Sequence, residues 1–244
     1  MGEARVVRPG EGERRPIEQP GATSEVRISP QTGSVHIIQS IYSFDSHAHA
    51  RISAGGDEVL YVIEGEGELR STLLHETRLL RRGVAALIRD GQSAVITAGE
   101  SLEMVSVVSP PPRSRALVAR GEVVAPFFSV HEDDRRAESA GEDREFKVLI
   151  ETKHVTQFVG FIRRSKAPPH THTYEEAIYI LEGEGIVHIG DDRHEPIRPG
   201  TSIFLPPGTP HWLENRGERT LKLLGVFSPP GSPANHRDAQ AGEG

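Results

Sequence analysis

The chain contains no cysteine, which excludes disulfides, thiolate metal sites and a cysteine nucleophile. Any metal must be held by imidazole and carboxylate, and twelve histidines supply the imidazole. Long apolar runs are missing as well. No window approaches the ~18 uninterrupted apolar residues of a membrane span. The opening MGEARVVRPGEGERRP also lacks the apolar core of a secretory leader, so a cytoplasmic chain with no membrane partner is expected. Lysine is scarce, confined to Lys147, Lys153, Lys166 and Lys222, and the net charge is −7 with histidine neutral. With no basic stripe, no nucleic-acid partner is expected.

What is present is an internal repeat. Glu58-Val-Leu-Tyr-Val-Ile-Glu-Gly-Glu-Gly67 returns as Glu176-Ala-Ile-Tyr-Ile-Leu-Glu-Gly-Glu-Gly185, and Arg82-Gly83 with Gly91 returns as Pro199-Gly200 with Gly208. Shared order and spacing indicate a duplicated domain. Within each copy, short β-rich runs such as Ala177 to Leu181 and Ile186 to Ile189 alternate with glycine, proline and aspartate. That rhythm is all-β, a barrel or sandwich. Domains are expected at 23–110 and 146–231, joined by a linker at 111–145 that opens on Ser109-Pro-Pro-Pro112. The charged run His131 to Phe146 is expected as a short helix or flexible segment, and residues 1–22 and 232–244 as tails.

In the second copy, His170-Thr-His172 follows Pro168-Pro169. Side chains two apart on a strand share a face, so both imidazoles can enter one cavity. Glu176 leads the next strand, and His211 lies on the distant hairpin Pro206-Pro-Gly-Thr-Pro-His211. A closed barrel brings these segments together. The stretch from Gly160 to Asn215 resembles the two motifs of the cupin family. The first runs from His170 and His172 through Glu176 to Gly183, with nine residues rather than five separating Gly160 from His170. The second is met at Gly200, Pro206, Gly208, His211 and Asn215. The resemblance implies a bicupin, two tandem double-stranded β-barrels of jelly-roll type. It also implies that His170, His172, Glu176 and His211 bind one divalent transition metal. Imidazole with carboxylate suits Fe, Mn, Ni, Cu or Zn, and an octahedral ion would keep two positions for substrate or dioxygen.

The first copy is read as degenerate. It keeps His47, His49 and Glu58 as an incomplete second site, but Ala94 stands where His211 stands and Arg89 where Pro206 stands. The turn from His49 to Glu58 is five residues longer than that from His172 to Glu176. A metal-free N-terminal barrel is expected. In the C-terminal barrel, Ile178, Ile180 and Leu213 share parity with the ligands and are expected to line an apolar cavity. A metalloenzyme acting on a small molecule follows, with a dioxygenase-type oxidoreductase as the first reading. A metal-dependent isomerase, decarboxylase or aminohydrolase, or a non-catalytic binding or sensing module, remains open. Exposed sheet edges lead us to expect a homodimer.

Overall fold

The computed structural model describes residues 2–53, 55–112, 123–141, 143–234 and 237–238. Apart from two 3₁₀ turns, every regular element among them is a strand. The chain divides into two compact units, Gly10–Arg135 and Arg136–Gly244, the second also containing Met1–Pro9.

In the C-terminal unit two antiparallel sheets form a jelly roll. The first orders the strands Arg5–Val7, Ser202–Leu205, Glu175–Glu182, Leu221–Ser228, Thr156–Ile162, Arg144–Glu151 and Glu138–Ser139. The second orders Arg193–Ile197, Gly185–Ile189, His211–Asn215, His170–Thr171 and Arg237–Asp238. Alternation sends Phe158, Ile178, Ile180, Val187, Leu213 and Phe227 into one buried cluster. Each such side chain contributes about 1.5–3 kcal/mol on full burial.

The N-terminal unit is one nine-stranded antiparallel sheet dominated by Asp57–Ser71 and Ser93–Ser109. These long strands carry both halves of the barrel. Bulges between Val62 and Glu64 and between Gly65 and Gly67 let the first of them bend. The repeated Glu-Gly-Glu-Gly explains this. Gly65 and Gly183 adopt φ of 80° and 78°, where a side chain is strained. A Cβ at Gly67 would meet the Thr97 carbonyl oxygen at 2.3 Å, and one at Gly185 the Glu214 carbonyl oxygen at 2.0 Å. The second glycine is needed because the neighbouring backbone approaches too closely for any side chain.

The structure redraws the expected boundaries. Residues 1–22, read as a tail, contain two strands. Arg5–Val7 pairs with Ser202–Phe204 in the C-terminal unit, and Glu13–Pro16 pairs with Thr23–Val26. The valines of Arg-Val-Val suit a pleated surface, a signal too short to register against the flanking Gly, Pro and charge. Of the expected linker, residues 113–122 lie outside the described residues. Among the described residues the run from His131 to Phe146 forms no α-helix: Phe128–His131 pairs with Val84–Leu87, Glu132–Asp134 is one 3₁₀ turn, and Glu138–Ser139 pairs with Glu145–Phe146. This segment lacks the apolar stripe that would hold a helix against a core.

Candidate metal centre

His170 opens its strand beside the strand that His211 opens, and the two residues are direct register partners. His172 follows two residues later, and Glu176 stands on the adjacent sheet opposite Leu205 and Phe227. The three imidazoles are buried, and one nitrogen from each lies within 4.8 Å of the other two. Among the described residues this is the one such group of three. Glu176 Oε2 lies 3.4 Å from His172 Nε2 and 3.2 Å from His211 Nε2.

Two local turns of the same design aim the rings. In Pro168-Pro169-His170 the Pro168 carbonyl is 2.8 Å from His170 Nδ1, and in Thr209-Pro210-His211 the Thr209 carbonyl is 2.9 Å from His211 Nδ1. A proline before each histidine narrows the backbone choices on both sides of it. A carbonyl only accepts, so Nδ1 carries the proton in both rings and a neutral ring presents an Nε2 lone pair inward. Burial pushes His170 down to about 3, and repulsion from His211 and His172 adds to this against the opposing pull of the Pro168 carbonyl and Glu176. That ring is neutral at ordinary pH, the state a metal ligand needs. Burial pushes the Glu176 carboxyl up, and only positive charge or N–H donation from the side of His172 and His211 brings it well below the usual carboxylate range. Glu176 Oε2 is buried and satisfies no hydrogen bond. A carboxylate oxygen facing an inward nitrogen lone pair at 3.2 Å is what a cation between them would resolve. The donor set therefore fits a divalent ion held by His170, His172, His211 and Glu176.

Beyond the cluster lies a cavity of about 80 Å³, well below the ~300–1,000 Å³ of sites for drug-sized molecules. Ile178 and Leu213 are in its wall as expected, with Phe146, Phe158, Gly160 and Phe227. Ile180 faces the same way but is fully enclosed in the core and does not reach the cavity. Tyr174 stacks on His172 at 4.8 Å and 14° and packs on Phe227 at 4.6 Å. The aromatic wall went unseen in the sequence because Phe158 and Phe227 sit on strands that carry no motif.

The N-terminal reading is corrected. His47 and His49 are exposed, whereas Glu58 is buried, so the structure does not bring the three together. On the strand His49–Ser53, Ala50 and Ile52 point inward and His49, Arg51 and Ser53 outward. Register identifies the true counterparts. Ala94 pairs with Ile52 as His211 pairs with His170. Ile52 thus takes the place of His170, and Ala54, two residues on, stands four before Glu58 as His172 stands four before Glu176. The turn is not longer; the visible His-Ala-His lies five residues before the true counterparts of His170 and His172. Glu58 accepts a 2.6 Å hydrogen bond from Ser106 Oγ and another from Tyr42, and burial raises its carboxyl. The sheet pairings match Ser106 with Gly225 and Tyr42 with Gly160. A tyrosine therefore stands where the C-terminal cavity has a glycine.

Residues 161–227 match the family model described as Cupin domain. An uncharacterized protein of Methanocaldococcus jannaschii is 42% identical over 77 residues, 31% of this chain and 58% of that protein. Acireductone dioxygenase of Citrobacter koseri is 33% identical over 64 residues, 25% of this chain and 36% of that enzyme. The chain thus spans less than two thirds of either relative's length. The structure of Bacillus subtilis oxalate decarboxylase, a protein with Mn(II) centers, superposes with a TM-score of 0.73 at 13% identity. It covers 93% of this chain and 77% of that one. At that identity the likeness is one of fold.

Proposed function

The chain belongs to the cupin superfamily, and we propose that its C-terminal barrel is a divalent-metal enzyme site that oxidises a small organic molecule in a dioxygenase-type reaction. One observation carries this reading: three buried imidazoles and a buried carboxylate converge at the end of a small apolar cavity. A divalent ion bound there supplies Lewis acidity and, where it is iron, the redox capacity an oxygenation needs. The chain's own residues do the rest. His170 and His211 are locked in one tautomer and one orientation by their carbonyl partners, which keeps the donor atoms convergent without ligand-induced rearrangement. Glu176 contributes the negative charge that offsets the ion. Phe158, Ile178, Leu213 and Phe227 exclude water from the reacting centre, which protects a reactive species from hydrolysis. The similarity to acireductone dioxygenase agrees with oxygen chemistry, and the Mn(II) centers of oxalate decarboxylase agree with a first-row divalent ion.

The test is metal analysis of protein purified without chelators, followed by oxygen uptake of the iron-loaded protein. The panel comprises small catechols, diketones, hydroxyaryl ketones and α-keto acids. Oxygen consumption in step with loss of one substrate is the expected result. A flat response alongside tight binding of a panel member would make the barrel a binding or sensing module instead.

A further inference from the structure

We propose that Arg144 reads a carboxylate on the substrate, so that the C-terminal cavity takes a small organic acid with an apolar body. This deepens the function proposed above and rests on the same cavity. Arg144 opens the strand Arg144–Glu151 and pairs directly with Ile162, as Phe146 pairs with Gly160. Residues directly opposite on an antiparallel pair share a face. Ile162 and Phe146 both belong to the buried interior, so Arg144 is on the inward face of the barrel. It also lines the cavity that holds the histidine cluster. A cationic side chain in line with the apolar inward residues Phe146 and Val148 of its own strand calls for a reason.

The charges around it leave it uncompensated. Glu176, in the same cavity wall, is 3.2 Å from His211 and 3.4 Å from His172. Glu145, the neighbour of Arg144, is 3.0 Å from Arg163 Nη2. Among the described residues no carboxylate pairs with Arg144. Its guanidinium is half-buried and shifted downward by burial alone, with no acid acting on it.

The local backbone makes room for that guanidinium. A Cβ at Gly141 would lie 2.9 Å from Arg144 Nη2, and Gly141 adopts φ of 109°. The glycine lets the planar fork lie across the turn at the cavity rim. A single guanidinium matches a carboxylate through two parallel N–H bonds. A phosphate dianion would demand more positive charge, and the lining residues offer no second cation. The 80 Å³ volume and the phenylalanine wall set the remaining chemistry: a short acid with a branched or flat apolar body.

The experiment is calorimetric titration with α-ketoisovalerate and with its uncharged amide, on metal-free and metal-loaded protein. Wild type, Arg144→Gln and Arg144→Lys are compared, with metal content and circular dichroism recorded for each. Wild type is expected to favour the acid about tenfold or more, as loss of a charge-assisted bond implies. Arg144→Gln should erase that preference at unchanged metal content, and Arg144→Lys should restore part of it. Equal binding of acid and amide by wild type, binding of neither at millimolar concentration, or a preference that survives Arg144→Gln would overturn the proposal. An Arg144-dependent preference in protein that takes up no metal would instead sink the metal-enzyme reading and leave this one standing.

Discussion

At the scale of single residues, two buried glutamates at matching positions have opposite surroundings. Glu176 faces imidazoles and its carboxyl is shifted down, while Glu58, shifted up, faces two hydroxyls in a site whose imidazoles are replaced by Ile52 and Ala94. His211→Ala removes one inward nitrogen. It is expected to lower metal affinity by at least the roughly 10–100-fold that loss of even a supporting partner costs, read by elemental analysis after dialysis. Glu58 binds its proton more tightly folded than unfolded, because its carboxyl is raised from the usual 4.5. The folded state is therefore favoured most below that ordinary value and loses this contribution as pH rises through the raised one. Glu58→Gln has no such loss. Its melting temperature should rise relative to wild type between acid and neutral pH, and the two should converge in acid; a constant offset across a pH series of thermal melts would refute this.

At the scale of elements, equivalent strands of the two copies differ in what they place against the interior. The strand Leu221–Ser228 has Gly225 where its N-terminal counterpart has Ser106, and a Cβ at Gly225 would meet Phe158 Cζ at 2.2 Å. Phe158 is itself packed on Phe227 at 4.8 Å, so its ring cannot retreat without disturbing the wall. Gly225→Ser is expected to destabilise the C-terminal barrel by about 1–3 kcal/mol through overpacking, measured by denaturant unfolding. Binding of a cavity ligand should fall with it. The two X-Pro-His turns act at this scale too: each spans three residues, yet each fixes the tautomer and direction of a ring. Their signature, a proline before both His170 and His211, is plain in the sequence. The carbonyl partner is not, since it depends on the backbone folding back toward Nδ1.

At the scale of the whole molecule, the two copies differ in what fills their interiors. The N-terminal barrel has filled its interior with Tyr42, Ile52, Leu60 and Met104, and the C-terminal barrel has kept a cavity and a donor cluster. The double variant His170→Ala with His172→Ala should abolish metal binding, while His47→Ala with His49→Ala should leave metal content and stability close to wild type, since both N-terminal rings are exposed. Loss of metal in the second pair alone would reverse the assignment. Each of the three sheet paths ends on edge strands, which can support association, and light scattering should return a particle of twice the 26.7 kDa chain mass. The duplication, the all-β class and His170, His172, Glu176 and His211 were determined by the sequence, because a ligand set on alternating strands and tight hairpins leaves a local pattern of spacing. Register across strands leaves none. Only the tertiary structure could show that Ile52 and not His47 stands beside Ala94, and that Arg144 and Phe158 share the histidines' cavity. Strand pairing is fixed by which face must be buried over the whole sheet, and a shift of one residue turns every side chain to the other side.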